Sequence, residues 1–436
     1  MPHVLIAGAG LAGLAAAREL QRRKYRVTVI EASHRVGGRV WTIRDGFAHR
    51  QHAEGGGDLI ESNQKAVVAL ARELKLPLVR TIRRGFGFYG ADNRGRVRAQ
   101  PMSLSFRELM TALAPLIHDY RLAEKRWDSG VAQAMAHTSV AAWLDEIRAG
   151  RGLRARLKGF RGFFLADPED LSLLALIDFF GDDGFGDTET FRIRTGNDRL
   201  PDALARGLRE PVQLDSILRR VRQTDNGIVA SIETQTGRHD LQADFAIVAI
   251  PATLARDVVF EPGLRPSQHD AIAHLRYGHV TRLLLQFDGR FWRRRGRPDL
   301  FGSDQSIGAF WDGNEQQPHK AGILSFLAGG GASQELQQIL KTEGTSGVTS
   351  RVSWLGRPGR LLASREIVWE NEPWSRGGYA VFDPSFNPEW RAELARPHGR
   401  VLFAGEHTHL RFQGYMEGAV LSGQRAAAEV LSVVNG

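Results

Sequence analysis

The amino-terminal segment constrains the fold most strongly, because a glycine-rich turn joins an apolar run to a helical pattern. Residues 3–7 form a short apolar run typical of a buried parallel strand, and residues 14–24 follow a helical pattern. Between them, Gly8, Gly10 and Gly13 form the pattern G-x-G-x-x-G. In this pattern the first glycine permits the turn, the second lets a pyrophosphate approach the backbone, and the third lets helix and strand pack closely.

The residues after this turn indicate which dinucleotide binds. Residues 26–30 predict a second strand, and Glu31 at its end is placed to bind ribose hydroxyls. Gly38 and Arg39 follow, which suits a dinucleotide that continues across the sheet toward a flavin. The arginine can neutralise the pyrophosphate, which the helix start also holds. We therefore expect FAD rather than NAD.

Composition excludes several classes of protein. The chain has 436 residues, which favours two interwoven domains, and no cysteine, which excludes disulfides, thiolate metal sites, cysteine nucleophiles and cysteine-linked cofactors. The formal charge of +9 comes from scattered arginines, which argues against nucleic-acid binding. The densest run, residues 290–298, is predicted to be a solvated strand end or loop, with an acidic surface or ligand as the alternative.

The sequence also bears on localisation and on metal binding. The sequence shows no signal-peptide pattern and no apolar stretch long enough to span a bilayer, so we expect a cytoplasmic protein. His407 and His409 lie close together but lack a further cluster of ligands, so no metal site is predicted.

The carboxyl-terminal region predicts a strand followed by a helix of small residues. Residues 401–404 read as a buried strand that ends at Gly405 and Glu406, and a helix begins near Met416. The first turn of a helix presents unpaired N–H groups with partial positive charge. We expect the Met416 N–H to stabilise negative charge on a bound flavin.

Three motifs together resemble the flavin-containing amine oxidases, the family of the monoamine and polyamine oxidases. They are E-x-x-x-R-x-G-G-R-x-x-T at 31–42, FAGEHT at 403–408 and GYMEGAVLSG at 414–423. The resemblance implies an FAD enzyme that oxidises the C–N bond of a small-molecule amine to an imine by hydride transfer to flavin N5. It also implies O₂ as the acceptor, with release of H₂O₂.

The resemblance assigns roles to individual residues. Tyr379 and Tyr415 match the two tyrosines of the family's aromatic cage, which positions an uncharged amine in front of the flavin. Gly378 stands where monoamine oxidases carry the flavin-linked cysteine, so FAD is expected to be non-covalent. Arg282 replaces the usual lysine that holds a water near the reactive flavin nitrogen, which leaves open whether oxygen is the acceptor.

The predicted fold is α/β, with a discontinuous FAD-binding Rossmann-like (GR2-type) domain and an inserted α+β substrate-binding domain. The first comprises residues 1–78, 205–262 and 368–436, and the second 79–204 and 263–367. Helical patterns between Pro77 and about Leu204 predict that this inserted region is mainly helical.

Two segments in the middle of the chain predict further strands of the nucleotide sheet. These are residues 212–221 and 243–254, and Leu218 on the first matches the family's backbone contact to adenine. The predicted cofactor-binding residues are Gly8, Gly10, Ala12, Gly13, Glu31, Gly38, Arg39, Gly56, Gly57, Asp58, Leu59, Leu218, Trp369, Gly405, Glu406 and Met416.

Other functions remain open at this point. An L-amino-acid oxidase needs an arginine for the substrate carboxylate, for which Arg199 and Arg282 are candidates; Trp374 is a further candidate for substrate binding. A desaturase or dehydrogenase of an apolar substrate would not need the paired tyrosines. A non-enzymatic flavin-bound scaffold is the remaining alternative. The sequence does not predict the oligomeric state.

Overall fold

The structure, a computed structural model, describes residues 1–91, 97–181 and 189–435. Its strands and helices are numbered here in chain order. The strands are β1 His3–Ala7, β2 Arg26–Ile30, β3 Thr42–Ile43, β4 Ala53–Glu54, β5 Ile60–Glu61, β6 Leu78–Thr81, β7 Phe86–Ala91, β8 Val97–Pro101, β9 Thr190–Ile193, β10 Ile217–Thr224, β11 Gly227–Thr234, β12 Gly237–Ala243, β13 Phe245–Val248, β14 Val259–Glu261, β15 Arg276–Tyr277, β16 Val280–Phe287, β17 Leu300–Ser303, β18 Ala309–Asp312, β19 Gly322–Gly329, β20 Leu361–Val368, β21 Ala380–Val381 and β22 Val401–Phe403. The helices are α1 Leu11–Arg22, α2 Lys65–Glu73, α3 Met102–Leu122, α4 Gly130–Ala136, α5 Val140–Glu146, α6 Arg151–Gly159, α7 Arg161–Phe164, α8 Leu173–Phe180, α9 Arg199–Arg206, α10 Ala252–Ala255, α11 Pro266–His274, α12 Gly331–Arg351, α13 Trp390–Glu393 and α14 Met416–Asn435.

A parallel sheet of four strands, in the order β2-β1-β13-β22, forms the nucleotide-binding side of the molecule. Its strands are almost entirely buried, as expected when helices cover both faces of a parallel sheet. They come from residues 3–7, 26–30, 245–248 and 401–403, so distant parts of the chain build one sheet. The predicted Rossmann-like α/β fold is confirmed, while the domain boundaries stay a prediction.

One strand prediction was right for only the first part of its segment. Within residues 212–221, Gln213 forms an isolated parallel bridge with Ile30 of β2. The strand β10, which begins at Ile217, belongs instead to a separate sheet with the order β12-β11-β10-β14. Its side chains alternate between buried and exposed, which is typical of a sheet with one solvated face. The second segment, 243–254, supplies β13 as predicted.

The part of the molecule predicted to bind substrate, called here the substrate-binding side, is built on a seven-stranded sheet in the order β20-β16-β19-β18-β17-β7-β8. All residues of β16 are buried, because β19 and β20 pair with it on either side. Helices from α3 to α8 account for most of residues 102–180, as the helical patterns predicted.

Helices α1 and α14 pack closely because glycines remove side chains from their contact. A Cβ on Gly423 would lie 2.1 Å from the carbonyl oxygen of Ala12. A Cβ on Gly13 would lie 1.9 Å from the carbonyl oxygen of Gly8, so the third glycine of the turn packs helix on strand as predicted. This contact holds the helix against the sheet that carries the glycine turn.

None of the helices within residues 1–91, 97–181 and 189–435 combines the length and apolarity that crossing a membrane requires.

Candidate active site

A cavity of about 1290 Å³ runs from the glycine turn after β1 to the helices of the substrate-binding side. This volume exceeds that of a typical drug-sized pocket, so it can hold a dinucleotide together with a small substrate. Most of the predicted site residues line it. They are Gly8, Gly10, Ala12, Glu31, Gly38, Arg39, Gly56, Gly57, Asp58, Leu59, Arg282, Trp369, Trp374, Tyr379, Gly405, Glu406, Tyr415 and Met416.

The glycine turn forms a cradle at one end of the cavity. Gly8 has a φ of +105°, and a Cβ there would lie 2.6 Å from the Ala249 carbonyl oxygen, so glycine is required. A Cβ on Gly10 would meet no atom within 4 Å and would project into open space. No side chain caps the start of α1, which leaves its first N–H groups for a ligand. These features fit a pyrophosphate at the helix start.

Glu31 closes the cradle from the end of β2. Its carboxylate is buried and accepts hydrogen bonds from the backbone N–H groups of Ala9 (2.7 Å) and Ser33 (2.9 Å). A carboxylate fixed in this way at the cavity wall fits the predicted contact to ribose hydroxyls.

Arg39, which is partly buried, and the buried Glu406 form an ion pair that connects three loops. The Arg39 guanidinium donates to Glu406 Oε1 (2.8 Å) and to the Gly378 carbonyl (2.7 Å). Glu406 also accepts from the backbone N–H of Gly414 (2.8 Å). Burial alone would raise the pKa of Glu406, but Arg39, His407 and the Gly414 N–H together outweigh it and hold the pKa below its ordinary value. Glu406 is therefore ionised and fixed in place at the cavity wall.

Met416 at the start of α14 lines the cavity, whereas the next residue, Glu417, contacts the start of α2. A Cβ on Gly57 would lie 3.3 Å from Met416 Sδ, so the glycine segment and the helix start are in contact. The carboxylate of Glu417 accepts from the N–H groups of Ala66 and Val67, both at 2.8 Å. The acidic residue of the carboxyl-terminal motif thus caps α2 rather than facing a ligand.

Both tyrosines of the predicted cage line the cavity. The Tyr379 hydroxyl donates to the carbonyl of Phe163, and its ring packs against Gly414, where a Cβ would lie 3.1 Å from Tyr379 Cδ2. Burial raises the pKa of Tyr379, so the phenol stays protonated. Tyr415 follows Gly414 directly and stands edge-on to Phe412, with ring centroids 6.2 Å apart. The cage itself stays a prediction.

An apolar wall adjoins Tyr379, because its hydroxyl bond to Phe163 connects the tyrosine to α7. We name this surface the phenylalanine wall. Its residues are Trp127, Phe160, Phe163, Phe164, Leu171 and Phe179. The sequence predicted helices in this region but did not indicate which faces turn toward the cavity.

A buried cluster of charges that the sequence did not predict surrounds Arg282. This side chain is 1% exposed; it donates from Nε to the Glu54 carbonyl (3.0 Å) and from one terminal nitrogen to Asp58. Asp58 also binds Arg192 and the indole N–H of Trp311 (2.8 Å). The Trp311 ring lies 4.5 Å from the Arg282 guanidinium carbon, so the arginine is held on several sides.

This cluster carries more positive than negative charge. Burial would raise the pKa of Asp58, but Arg192 and Arg282 outweigh it and lower that pKa. Burial, together with Asp58, raises the pKa of Glu54 to about 8. At neutral pH two arginines therefore face one ionised carboxylate. We name Glu54, Asp58, Arg192 and Arg282 the arginine cluster.

Three predicted site residues do not line the cavity. Gly13 packs against Gly8, as described above. Arg199 lies in the first turn of α9, where its guanidinium is 3.4 Å from Asp202 and its side chain is 38% exposed. Leu218 belongs to the hydrophobic core beside β10, outside the parallel sheet. The structure thus does not bring Arg199 or Leu218 to the site.

His407 and His409 follow the carboxyl-terminal strand β22. Within the described ranges, no three His, Asp or Glu side chains are grouped in a way that could hold a metal ion. Burial lowers the pKa of His407 to about 4, so this side chain is neutral at pH 7.

Comparison with known proteins decides the family. Residues 11–431 match the sequence model described as flavin containing amine oxidoreductase. The chain belongs to this family. It is 28% identical to an L-amino-acid oxidase of Siganus canaliculatus, over 98% of this chain and 85% of that protein. It is also 26% identical to an L-amino acid dehydrogenase of Synechocystis sp., over 99% and 95% of the two chains.

Solved structures show the same fold. The cyclohexylamine oxidase of Brevibacterium oxydans IH-35A superposes with a TM-score of 0.89 over 100% of both chains, at 23% identity. A putrescine oxidase bound to putrescine superposes with a TM-score of 0.83 over 99% of both chains, at 22% identity.

Membership in the flavin amine oxidoreductases confirms three predictions, namely the family, its enzymatic oxidoreductase character and FAD as cofactor. The glycine cradle, Glu31 and the start of α14 are the residues that would hold FAD. In this flavin amine oxidoreductase, the tyrosines and the phenylalanine wall line the same cavity as Asp58 and Arg282, two members of the arginine cluster.

Proposed function

We propose that this enzyme oxidises the C–N bond of an amine with an apolar body to an imine, with O₂ as the final acceptor and H₂O₂ as its product. Bound FAD supplies the two-electron acceptor for this oxidation. Hydrolysis of the imine then gives an aldehyde or ketone and releases the nitrogen as ammonia or an amine. The observation that carries the proposal is that Tyr379, Tyr415 and the phenylalanine wall share one cavity with the FAD cradle.

The electrostatics of the cavity support an amine that binds in its neutral form. The arginine cluster places excess positive charge at the wall, which disfavours a bound ammonium ion. Asp58 and Glu406 are cavity carboxylates held in ion pairs with arginines, so neither is suited to accept a proton. The π faces of Tyr379 and Tyr415 can instead hold the neutral nitrogen by its lone pair and favour a developing cation.

The tyrosines provide the test. Tyr379→Ala and Tyr415→Ala should each lower kcat/KM for an apolar amine by about tenfold, because an aromatic face next to a developing cation contributes about 0.5–2 kcal/mol. Tyr379→Phe and Tyr415→Phe retain the rings and should lose much less. Anaerobic flavin reduction by a panel of amines, with separate peroxide detection in air, gives both readouts. Unchanged amine turnover in both alanine variants would show that the cage assignment is wrong.

Non-covalent FAD forms part of the proposal. The chain has no cysteine, and Gly378 occupies the position of the flavin-linked residue in monoamine oxidases. Purified protein should therefore be yellow, and acid or heat should release the flavin into the supernatant. Flavin that remains with the precipitated protein would contradict this expectation.

L-Amino-acid oxidation is the second candidate, and Arg282 is the observation that favours it. Its described hydrogen bonds use Nε and one terminal nitrogen, and the side chain lines the cavity. The remaining terminal nitrogen is placed to bind an α-carboxylate. Arg282→Lys should then reduce kcat/KM for α-amino acids far more than for simple amines. Equal losses for both substrate classes would reject this candidate.

A further inference from the structure

The arginine run of residues 290–298 reaches the cavity at its far end. Arg293, Arg294 and Arg295 are exposed, as expected for a solvated loop. Arg297 is half-buried and lines the cavity together with its neighbours Gly296 and Pro298. The run is therefore not entirely a solvated surface.

The cavity opens to solvent at this point. Gly85 and Gly296 both line the cavity and are both exposed. The loops that carry them are joined, because the Asp299 N–H donates to the Gly85 carbonyl (3.1 Å) and Arg84 donates to the Arg294 carbonyl (2.7 Å). We name residues 84–86 and 296–298 the cavity mouth.

The arginines of the substrate-binding side differ in how their charge is balanced. Arg84 donates from Nε to Asp299 (2.8 Å), and Arg282 is paired with Asp58. Arg297 has no carboxylate partner among the residues that the structure describes. Its NH1 donates to the Leu355 carbonyl (2.8 Å), and its guanidinium lies 5.6 Å from the centre of the Trp354 ring. Burial is the larger cause that lowers the pKa of Arg297, and the positive charge of Arg294 is the smaller one. A bound anion would stabilise the charged form of Arg297 against both effects.

The position of the mouth relative to Arg282 indicates where an anion would bind. Leu300 pairs with Trp311 across β17 and β18, and the Trp311 ring lies against Arg282. Arg297 lies three positions before Leu300, so at most about 11 Å of extended chain separates the two residues. Arg282 is 1% exposed, whereas Arg297 is half-buried and belongs to the exposed cavity mouth. The two arginines thus lie at different depths along the cavity.

We propose that Arg297 forms an anion-binding subsite at the cavity mouth, and that the preferred amine carries a carboxylate or similar acidic group several bonds away from its nitrogen. The apolar body of such a substrate lies along the phenylalanine wall, and its acidic end pairs with the free nitrogens of Arg297. An α-amino acid places its carboxylate next to its amine and does not use this subsite. The inference rests on the proposed amine oxidation for its catalytic part alone.

The test compares 8-aminooctanoate with octylamine, and adds 8-amino-1-octanol as a neutral compound of similar length. The wild-type kcat/KM should be at least about tenfold higher for the carboxylate, as expected for a hydrogen bond between charged groups. Arg297→Gln should abolish this preference while octylamine turnover changes less than about twofold. Arg297→Lys should retain part of the preference, because it keeps the charge without the planar fork.

Arg295→Gln is the matched control, since Arg295 belongs to the same run but is exposed and does not line the cavity. It should leave the preference for 8-aminooctanoate unchanged. A preference absent from the wild type, kept in Arg297→Gln, or lost equally in Arg295→Gln would overturn the subsite.

Octanoate separates this inference from the proposed function, because it has the acidic end but no amine to oxidise. We expect octanoate to bind the FAD-loaded wild type by calorimetry and to bind Arg297→Gln at least about tenfold more weakly. If no amine reduces the flavin but octanoate binding depends on Arg297, the subsite stands and amine oxidation is wrong. If octylamine reduces the flavin but octanoate does not bind, amine oxidation stands and the subsite is wrong.

Discussion

At the scale of single residues, the arginine cluster contains the carboxyl group whose protonation sets the charge beside Arg282. Glu54 is 1% exposed, and its carboxyl group accepts from the Thr42 hydroxyl (2.7 Å) and the Asn197 N–H (3.1 Å). Because its pKa is raised to about 8, this carboxyl is neutral at pH 7 and ionises above that value. Ionisation would cancel the excess positive charge beside Arg282. The cluster therefore changes its charge near physiological pH.

Glu54→Gln should remove this titration. In the folded protein the carboxyl holds its proton up to about pH 8, whereas an ordinary value of 4.5 applies to the unfolded chain. The folded state thus binds more protons between these values, and its free energy of unfolding should fall as pH rises through that window. Urea unfolding at about pH 5 and about pH 9 should show a smaller pH dependence in Glu54→Gln than in the wild type.

A control for this prediction is Glu343→Gln, since Glu343 is exposed on α12. This variant should keep the pH dependence of the wild type. Parallel curves for the wild type and Glu54→Gln would show that Glu54 titrates normally.

Asp58→Asn should destabilise the protein strongly, because it leaves two buried arginines without their counter-ion. Removing one partner of a buried pair costs about 3–5 kcal/mol of unfolding free energy. Asp202→Asn is the control, because its partner Arg199 is 38% exposed, and such pairs contribute less than about 1 kcal/mol. Denaturant unfolding measures both, and similar losses would contradict the structural role of Asp58.

Site residues could be predicted from sequence where a motif fixes their spacing. The cradle glycines, Glu31 and Arg39 are set by a local strand-turn-helix unit, and the structure brings them to one cavity. Arg192 and Trp311 were missed because they meet Asp58 through the pairing of distant strands. No local pattern in the sequence around residue 192 predicts the contact between Arg192 and Asp58.

At the scale of elements, the contact between α1 and α14 fixes the FAD cradle. Gly423→Ala should destabilise the protein, because the added Cβ would lie 2.1 Å from the Ala12 carbonyl oxygen and force the helices apart. We expect both the thermal midpoint of unfolding and the affinity for FAD to decrease, and each can be measured directly.

Gly152→Ala is the matched control for this substitution. Gly152 lies within α6, where a Cβ would have its nearest neighbour at 3.9 Å. Alanine favours a helix over glycine by about 0.5–1 kcal/mol, so this variant should be slightly more stable than the wild type. If Gly423→Ala and Gly152→Ala changed the stability in the same direction, the proposed role of Gly423 in packing α14 against α1 would be contradicted.

The existence of a strand or helix was predicted more reliably than the elements with which it pairs or packs. The periodicity around residues 212–221 correctly indicated a strand, β10, but gave no information about which sheet it joins. A parallel sheet receives strands from any part of the chain, and a pattern of local residues does not specify long-range pairing. For the same reason, the sequence predicted helices beside the cavity but not which of their residues line it.

At the scale of the whole molecule, the cavity joins segments that are far apart in sequence, from Gly8 to Ala419. Removing FAD should therefore lower the thermal midpoint of unfolding of the entire protein, and adding it back should restore the midpoint in a concentration-dependent manner. At a free FAD concentration of about 100 times Kd, the expected stabilisation is about 2.7 kcal/mol.

FMN is the control ligand, because it lacks the AMP half of FAD and therefore has neither the pyrophosphate expected at the glycine turn nor the adenosine ribose expected at Glu31. It should stabilise the apoprotein less than FAD at equal concentration. Identical midpoints with and without FAD would contradict the proposal that the cofactor connects these segments.

The parallel sheet also has a consequence for synthesis in the cell. Its edge strand β22 pairs with β13, yet 152 residues lie between the end of one and the start of the other, from Val248 to Val401. During translation β1, β2 and β13 must wait with one apolar edge uncovered until residue 403 has left the ribosome. The nascent chain is thus exposed to aggregation for much of its elongation, and chaperones that hold unpaired strands should associate with it over that interval.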